Sequence, residues 1–259
     1  LTDQGVSFYN YLAMDTLRTL TENIFKKVNN TDINQPKSLH ISSKHAYIIG
    51  DKLYIANMET FGNEGIVSGF ADPISCKKVD EDRLYVVDKG DATVKIVNLN
   101  KKEVLGHIET GDTSMPINIV GSWYRAFVMN GGGDDFANRD SSIVAIDYLQ
   151  SGVVTNEFSG KLDVGYNPSS AAFSTNNLWV LCKGVYNTQD PSNNTQSSMY
   201  KIAPWSNVID DDKNLTGIYK ADNLSINESK SRMFFSSTDG IYITDLTIYP
   251  TLHIPSVDA

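Results

Sequence analysis

Short runs of alternating apolar and polar residues recur along the whole chain, separated by Gly, Asn and Asp. Alternation with a period of two, in runs rich in Val, Ile, Tyr and Phe, is typical of half-buried β-strands. The run Val94–Asn98 is nearly apolar on both faces, which indicates a strand that is covered from both sides. The pattern therefore predicts an all-β protein.

The predicted strands occur in groups that repeat. Four groups begin at Pro36, Pro73, Pro116 and Pro168, at intervals of 37, 43 and 52 residues, and a fifth group keeps the strands without the proline. A period near 40 residues with about four strands per unit is typical of propeller blades. We therefore predict a single β-propeller domain over 1–259, built from four-stranded antiparallel blades with five copies visible. The strands predicted in the five copies are 35–41, 45–49 and 53–57; 72–76, 83–88 and 93–98; 115–119, 125–130 and 142–147; 167–172, 178–181 and 198–202; and 223–226, 232–236 and 240–244.

The two ends of the chain fit the repeat less well. Gly5–Asn10 is a lone alternating run, and we expect it to complete the last blade at its open edge. Tyr11–Lys27 carries apolar residues at loose helical spacing, and a strand ending in a loop is equally consistent with it. Thr251–Ala259 does not resemble a finished strand pair. Either the blades form a small ring, or the sequence stops one or two blades short at its C-terminal end; the second interpretation is favoured.

Charge and composition exclude several classes of partner. The formal net charge of −9 argues against nucleic acid, because binding it requires a basic surface. No run of about 18 apolar residues is present, so no membrane-spanning helix is predicted. The sequence leaves open whether Cys76 and Cys182 form a disulfide. Cys182 lies in the apolar run 178–182 and is expected to be a small buried hydrophobe.

Sequence motifs of catalysis are missing. The histidines at 40, 45, 107 and 253 are scattered, and neither a nucleophile elbow nor a phosphate-binding loop occurs. We therefore expect a non-enzymatic binding protein with no catalytic residues, no cofactor and no metal ion. A propeller hydrolase or lyase, with carboxylates collected from distant blades, is the alternative.

Long polar loops are the candidates for binding. Asn130–Asp140 holds three glycines and three carboxylates; a flexible hairpin is the favoured interpretation, and a ligand-contacting loop or a Ca²⁺ site are the alternatives. We expect it to share one rim with its presumed counterparts 58–64, 89–91 and 183–190. The acidic run Asp210–Asp212 is interpreted as a solvated loop. The predicted ligand-binding residues are Phe61, Asn63, Asp91, Asp134, Asp135, Phe136, Tyr186 and Trp205.

Three features of the repeat define a resemblance. Gly69–Pro73 precedes the first strand of its copy, Leu84–Asp88 is an apolar second strand, and Lys102–Ile108 follows an apolar third strand. These features resemble the YVTN or YncE-like β-propellers. The opening, Gly5–Asn10 with Gln35–Ile49, resembles a subgroup of outer-membrane surface lipoproteins of Bacteroidetes that includes the BtuG-like cobalamin-binding proteins.

The resemblance implies a function and a location. It implies a lipid-anchored protein on the extracellular face of the bacterial outer membrane, which captures a small nutrient for a TonB-dependent transporter. Cobalamin is the leading ligand, and the anchor would lie outside this sequence. Members of the wider family usually have seven blades. The alternative is a non-enzymatic accessory component of a surface uptake complex that binds glycan or peptide.

Overall fold

The structure is a computed structural model whose described part falls into two compact units, 1–109 and 110–259. Within the described residues, helix is limited to α1 (Ile24–Asn29) and a short 3-10 helix at Pro191–Asn193. The expectation of a single domain over 1–259 stays a prediction. The described residues are 1, 5–9, 20–111, 115–122, 124–132, 137–150, 153–246 and 250–255.

The first unit holds two four-stranded antiparallel sheets, preceded by a two-stranded ribbon. Within each sheet the strands pair in chain order, as in a propeller blade. The ribbon is β1 (Phe8–Tyr9) and β2 (Leu20–Thr21); blade 1 is β3 (Ser38–Ser42), β4 (His45–Ile49), β5 (Leu53–Asn57) and β6 (Asn63–Val67); blade 2 is β7 (Pro73–Lys78), β8 (Arg83–Asp88), β9 (Thr93–Asn98) and β10 (Glu103–Glu109).

The second unit holds three more blades of the same type. The prediction of an all-β propeller fold with five four-stranded antiparallel blades is confirmed. Blade 3 is β11 (Pro116–Gly121), β12 (Arg125–Asn130), β13 (Ser142–Gln150) and β14 (Val153–Asp163); blade 4 is β15 (Pro168–Phe173), β16 (Leu178–Cys182), β17 (Ser198–Ala203) and β18 (Val208–Asn214); blade 5 is β19 (Asp222–Ile226), β20 (Met233–Ser237), β21 (Gly240–Thr244) and β22 (Thr251–Pro255).

Successive blades within a unit pack face to face. The first strand of a blade lies against the first two strands of the blade before it, as β7 does against β3 and β4, and β19 against β15 and β16. In β4, Tyr47 and Ile49 pack towards blade 2, whereas Ala46 and Ile48 pack with Phe25 of α1. Because both faces are covered, the second strands are apolar on both sides, which explains the continuous apolar runs of the sequence.

The N-terminal segment corrects one expectation. Phe8–Tyr9 pairs with Leu20–Thr21 and not with the last blade. The physical reason is that blade 5 already has its fourth strand, because Thr251–Pro255 pairs with Gly240–Thr244. The expectation that Thr251–Ala259 lacks a strand pair is therefore wrong for 251–255, and 256–259 lie outside the described residues.

The candidate helix over Tyr11–Lys27 is only partly addressed. Residues 10–19 lie outside the described residues, and α1 begins at Ile24. The helix is bounded by Asn23 and Asn30, both in the left-handed conformation with φ of 49° and 51°. Asn tolerates this conformation better than most residues, so the two asparagines limit the helix to six residues.

The acidic run Asp210–Asp212 is a strand and not the expected loop. It lies in β18, the fourth and outermost strand of blade 4, where the side chains are mostly exposed. Charged side chains on an edge strand discourage pairing with another chain. The charge pattern therefore reflects edge protection.

Both cysteines are free and buried. Cys76 lies in the apolar core of blades 1 and 2, and Cys182 lies in the core of blades 3 and 4. The interpretation of Cys182 as a small buried hydrophobe is confirmed, since it is 0% exposed.

Candidate functional site

The ends of the blades divide the predicted site residues into two groups. In an antiparallel blade the connections between strands 1 and 2 and between strands 3 and 4 share one end, and the 2–3 connection lies at the other. Asp91 and Tyr186 lie on 2–3 connections, whereas Phe61 and Trp205 lie on 3–4 connections. The expectation that all the candidate loops share one rim is therefore wrong for 58–64. The 2–3 connection of blade 1 is the short turn 50–52.

Phe61 and Asn63 hold the N-terminal segment against blade 1. The ring of Phe61 lies 5.1 Å from that of Phe8 and is only partly exposed. Asn29 of α1 donates its side-chain amide to the Phe61 carbonyl at 2.9 Å and accepts the Asn63 backbone N–H at 2.7 Å. The contacts of Phe61 and Asn63 therefore stabilise the packing of the N-terminal segment, and ligand binding by these two residues stays a prediction.

The other predicted residues differ in their surroundings. Asp91 is exposed and accepts a hydrogen bond from Lys95, an ion pair of a kind that contributes little on a surface. Trp205 is 57% exposed in the turn between β17 and β18. Asp134, Asp135 and Phe136 lie outside the described residues.

The Ca²⁺ alternative gains no support from the described part of its loop. The Asp140 carboxylate accepts hydrogen bonds from the Ser141 backbone N–H at 2.6 Å and from the Ser142 hydroxyl at 3.0 Å, so it fixes the start of β13. Among the residues that the structure describes, no group of three or more His, Cys, Asp or Glu side chains is arranged to hold a metal ion.

Tyr186 leads to a cleft of about 620 Å³ in the second unit, which we call the tyrosine cleft. It opens at the blade end that carries the 2–3 connections. Its wall combines three tyrosine rings with three side-chain amides and several small residues, and none of the described residues that line it is charged. The lining residues are Ser141, Val164, Gly165, Tyr166, Asn194, Thr195, Gln196, Ser198, Tyr200, Asn214 and Tyr219.

Aromatic and cationic side chains support the rings at the mouth of the cleft. Tyr186 lies 5.3 Å from Tyr219, and the Lys220 ammonium lies 5.2 Å above the Tyr186 ring. The guanidinium of Arg139 lies 4.9 Å above the Tyr166 ring. A cation over an aromatic face is attractive and keeps the ring in place.

The 2–3 connection of blade 4 is held rigidly beside the cleft. Val185 and Thr195 exchange two hydrogen bonds of 2.8 Å, and the Asn187 backbone N–H donates to Asn194 Oδ1 at 2.7 Å. Gly184 has a φ of 74°, and a Cβ there would meet the Thr195 carbonyl at 2.3 Å. A loop fixed in this way loses little further freedom when a ligand binds.

The floor of the cleft depends on a close approach at Gly165. A Cβ at this position would lie 2.1 Å from the Ser198 hydroxyl. Burial raises the pKa of Tyr200 beside it above its ordinary value, so its hydroxyl stays protonated and can donate a hydrogen bond. The cleft thus offers neutral donors, neutral acceptors and aromatic faces.

Reasoning from the sequence found Tyr186 but missed Tyr166, Tyr200 and Tyr219. Tyr166 and Tyr219 lie in the connections from the fourth strand of one blade to the first strand of the next. These connections share an end with the 2–3 loops but were not among the candidate loops. The available signal was an aromatic residue just ahead of the start of a copy, as in Tyr166 before Asn167 and Pro168.

The fold and the cleft define a β-propeller with a preformed cleft between blade connections. No protein-family model matches the chain, and no curated protein matches it. The resemblance to YncE-like and BtuG-like proteins therefore stays a prediction. In the described part of the chain no helix is long and apolar enough to cross a membrane.

Solved structures support the fold. The chain is similar to Kuenenia stuttgartiensis hydrazine synthase, with 16% identity and a TM-score of 0.68 over 84% of this chain and 64% of that chain. It is also similar to a functionally unknown protein from Desulfotomaculum acetoxidans, with 11% identity and a TM-score of 0.62 over 82% and 68% of the two chains. A third is the Cps50 (Swd1) β-propeller domain of Myceliophteria thermophila, with 9% identity and a TM-score of 0.59 over 81% and 64%. At these identities the likeness is one of fold alone.

Proposed function

We propose that the protein is a non-enzymatic binding β-propeller that captures a small, neutral, polar ligand in the tyrosine cleft. The observation that carries the proposal is the wall of the cleft, where Tyr166, Tyr200 and Tyr219 stand among carboxamides and hydroxyls without a charged lining residue. Clefts of this size with a few placed polar groups are typical of small-molecule sites.

The chemistry of the wall suits a ligand with both flat apolar faces and uncharged polar groups. Tyrosine rings contact apolar faces and offer a hydroxyl at the same time. The amides of Asn194, Gln196 and Asn214 each offer a donor and an acceptor, which pair with hydroxyl or amide groups. An ionised group inside the cleft would lose its hydration with no charged lining residue beside it, since Arg139 and Lys220 lie over tyrosine rings at the mouth.

We consider two candidate ligand classes. Cobalamin, which carries uncharged amide side chains, is the leading candidate through the resemblance described above. That resemblance also supports a lipid-anchored position on the outer-membrane surface and transfer to a TonB-dependent transporter. A glycan is the second candidate, because tyrosine rings beside amides suit the apolar face and the hydroxyls of a sugar.

Isothermal titration calorimetry with cyanocobalamin and with a panel of neutral oligosaccharides tests the proposal. We expect one of the two to bind with a dissociation constant of about 1 μM or lower. Tyr219→Ala and Gln196→Ala should weaken that binding about tenfold or more, because both side chains line the cleft.

Tyr9→Ala is the matched control, since Tyr9 is 49% exposed on the ribbon of the first unit. Far-UV circular dichroism would verify that each variant is folded. Absence of heat with every ligand, or equal weakening by Tyr9→Ala and Tyr219→Ala, would contradict the proposal. Binding of the oligosaccharides alone would remove cobalamin and retain the cleft.

A further inference from the structure

The first residue of the second strand is Arg in blades 2 and 3, Leu178 in blade 4, Met233 in blade 5 and His45 in blade 1. Arg83 and Arg125 begin the second strands of blades 2 and 3 and pair with Asn98 and Asp147 of the third strands. His45 occupies the same register position in blade 1, opposite Asn57. Both arginines are buried in ion pairs with aspartates, at 6% and 8% exposure.

His45 lines a cleft at this position. The cleft of about 440 Å³ opens between blades 1 and 2, at the end of the 1–2 and 3–4 connections. We call it the lysine cleft, because three lysines reach it from three elements: Lys44 from the turn after β3, Lys78 from the end of β7, and Lys102 from the turn before β10. It lies entirely within the first unit.

The ammonium group of Lys78 is poorly compensated. Its side chain is only 14% exposed, yet its carboxylate partner, Glu81, is 99% exposed and lies 3.7 Å away, beyond hydrogen-bond range. The other acidic residue of the cleft, Glu64, is bound by His45 at 2.7 Å and by the Asn57 amide at 2.8 Å. A partly covered cation whose carboxylate partner is exposed and distant can attract a further anion.

A neighbouring histidine senses the same positive charge. The pKa of His40 is lowered to about 4. Burial is the main cause, and the charges of Lys77 and Lys78 contribute in the same direction. The ring of His40 stacks on Tyr47, which lines the cleft, with centroids 6.2 Å apart. Lys77 and Lys78 thus place positive charge beside His40. Glu64 and Glu81 oppose it at Tyr47, whose pKa is raised mainly by burial and further by these two carboxylates.

We propose that the lysine cleft binds the tetrahedral oxyanion of a small phosphorylated or sulfated ligand. Lysines on three different elements line the cleft, an arrangement that suits an anion with three or more acceptor oxygens, whereas a carboxylate has two. Tyr47, Ile55 and Leu99 add an apolar surface for the carbon part of the ligand. The site is independent of the tyrosine cleft, so either proposal can fail without the other.

Calorimetry at low ionic strength with inorganic phosphate, inorganic sulfate, glucose 6-phosphate and glucose tests this site. We expect the oxyanions to bind and glucose not to bind, and the stronger of phosphate and sulfate to identify the source of the oxyanion. Lys78→Gln and Lys102→Gln should each weaken binding about tenfold. Lys102→Gln changes an exposed turn residue, so it remains informative if Lys78→Gln is unstable.

Lys101→Gln is the matched control. The substitution changes the net charge by the same amount next to Lys102, but Lys101 does not line the cleft. Its affinity for phosphate should stay within about twofold of the parent protein. Two results would overturn the proposal. One is that no oxyanion binds; the other is that the substitutions at 101, 78 and 102 weaken binding equally, because equal weakening would indicate a non-specific electrostatic attraction.

Discussion

The two clefts lie between successive blades of their own units, yet they differ in nearly every lining residue. The lysine cleft uses the 1–2 and 3–4 connections and collects ammonium groups, whereas the tyrosine cleft uses the opposite blade end and collects rings and amides. The strands beneath both clefts are apolar and alike. The comparison teaches that the blade supplies position, and that the residues of the turns determine which ligand chemistry is accommodated.

The largest expected effect separates a structural residue of the repeat from its counterpart in the lysine cleft. Arg125 donates hydrogen bonds to Asp147, to Ser159 at 2.9 Å, and to Asn207 and the Pro204 carbonyl at 2.8 Å each. Arg125→Met should lower the free energy of unfolding by about 3 kcal/mol, because it leaves the partly buried Asp147 carboxylate without its partner. Urea denaturation measures this change.

His45→Ala, at the same register position, is the control. It removes only a partly exposed imidazole with an exposed partner, so we expect a loss of less than about 1 kcal/mol. Burial acts to raise the pKa of Asp147, but the hydrogen bonds of Arg125 and Ser159 outweigh it and hold that pKa below its ordinary value. Equal stability losses in the two variants would show that the two positions are equivalent after all.

Salt should change ligand affinity at the lysine cleft more than at the tyrosine cleft, and we expect this effect to be smaller than that of Arg125→Met. Ammonium–oxyanion attraction is screened over a distance of about 10 Å at 0.1 M salt and about 3 Å at 1 M. Raising NaCl from 0.05 to 0.5 M should therefore weaken phosphate binding at Lys78 several-fold and leave the neutral ligand within about twofold. Calorimetric titrations at both salt concentrations measure the ratio, and the same salt dependence for both ligands would contradict the assignment of charge.

The expected effect of pH is confined to the first unit. The pKa of His40 is about 4 in the folded protein and 6.5 for a free side chain, so the unfolded state takes up its proton first. The stability of this unit should thus decrease as the pH falls from about 6.5 to about 4, and His40→Gln should reduce this decrease.

Nuclear magnetic resonance titration of the His40 ring measures that pKa directly. Bound phosphate should raise it, since the anion offsets the charges of Lys77 and Lys78. A His40 pKa near 6.5, or one that phosphate leaves unchanged, would contradict this account of the lysine cleft.

The second strands of the blades were predictable from the sequence, because strands that are buried on both faces consist of continuous apolar runs. His45–Ile49 and Arg83–Asp88 were predicted with the bounds that the structure has. The fourth strands of the blades were not among the three strands predicted in each copy. Val208–Asn214 is largely exposed at a blade edge and carries little apolar alternation, whereas the exposed Thr251–Pro255 alternates over only five residues.

The candidate sites were less predictable, because they depend on contacts between distant segments. Tyr166, Tyr200 and Tyr219 meet only after blades 4 and 5 have formed, and no local pattern brings them together. The loop 58–64 was assigned to the wrong blade end because it is longer than the turn 50–52, which is the 2–3 connection of blade 1. His45 was visible only as one of four scattered histidines.

Each unit also contains its own chemical reporter of opening. Cys76 and Cys182, one in each unit, are 5% and 0% exposed, and burial raises the pKa of both thiols, that of Cys182 to about 12. Only a thiolate attacks alkylating reagents, so both remain inert while their cores are closed. The order in which the two cysteines become alkylated under mild denaturant would therefore give the order in which the two halves of the chain unravel.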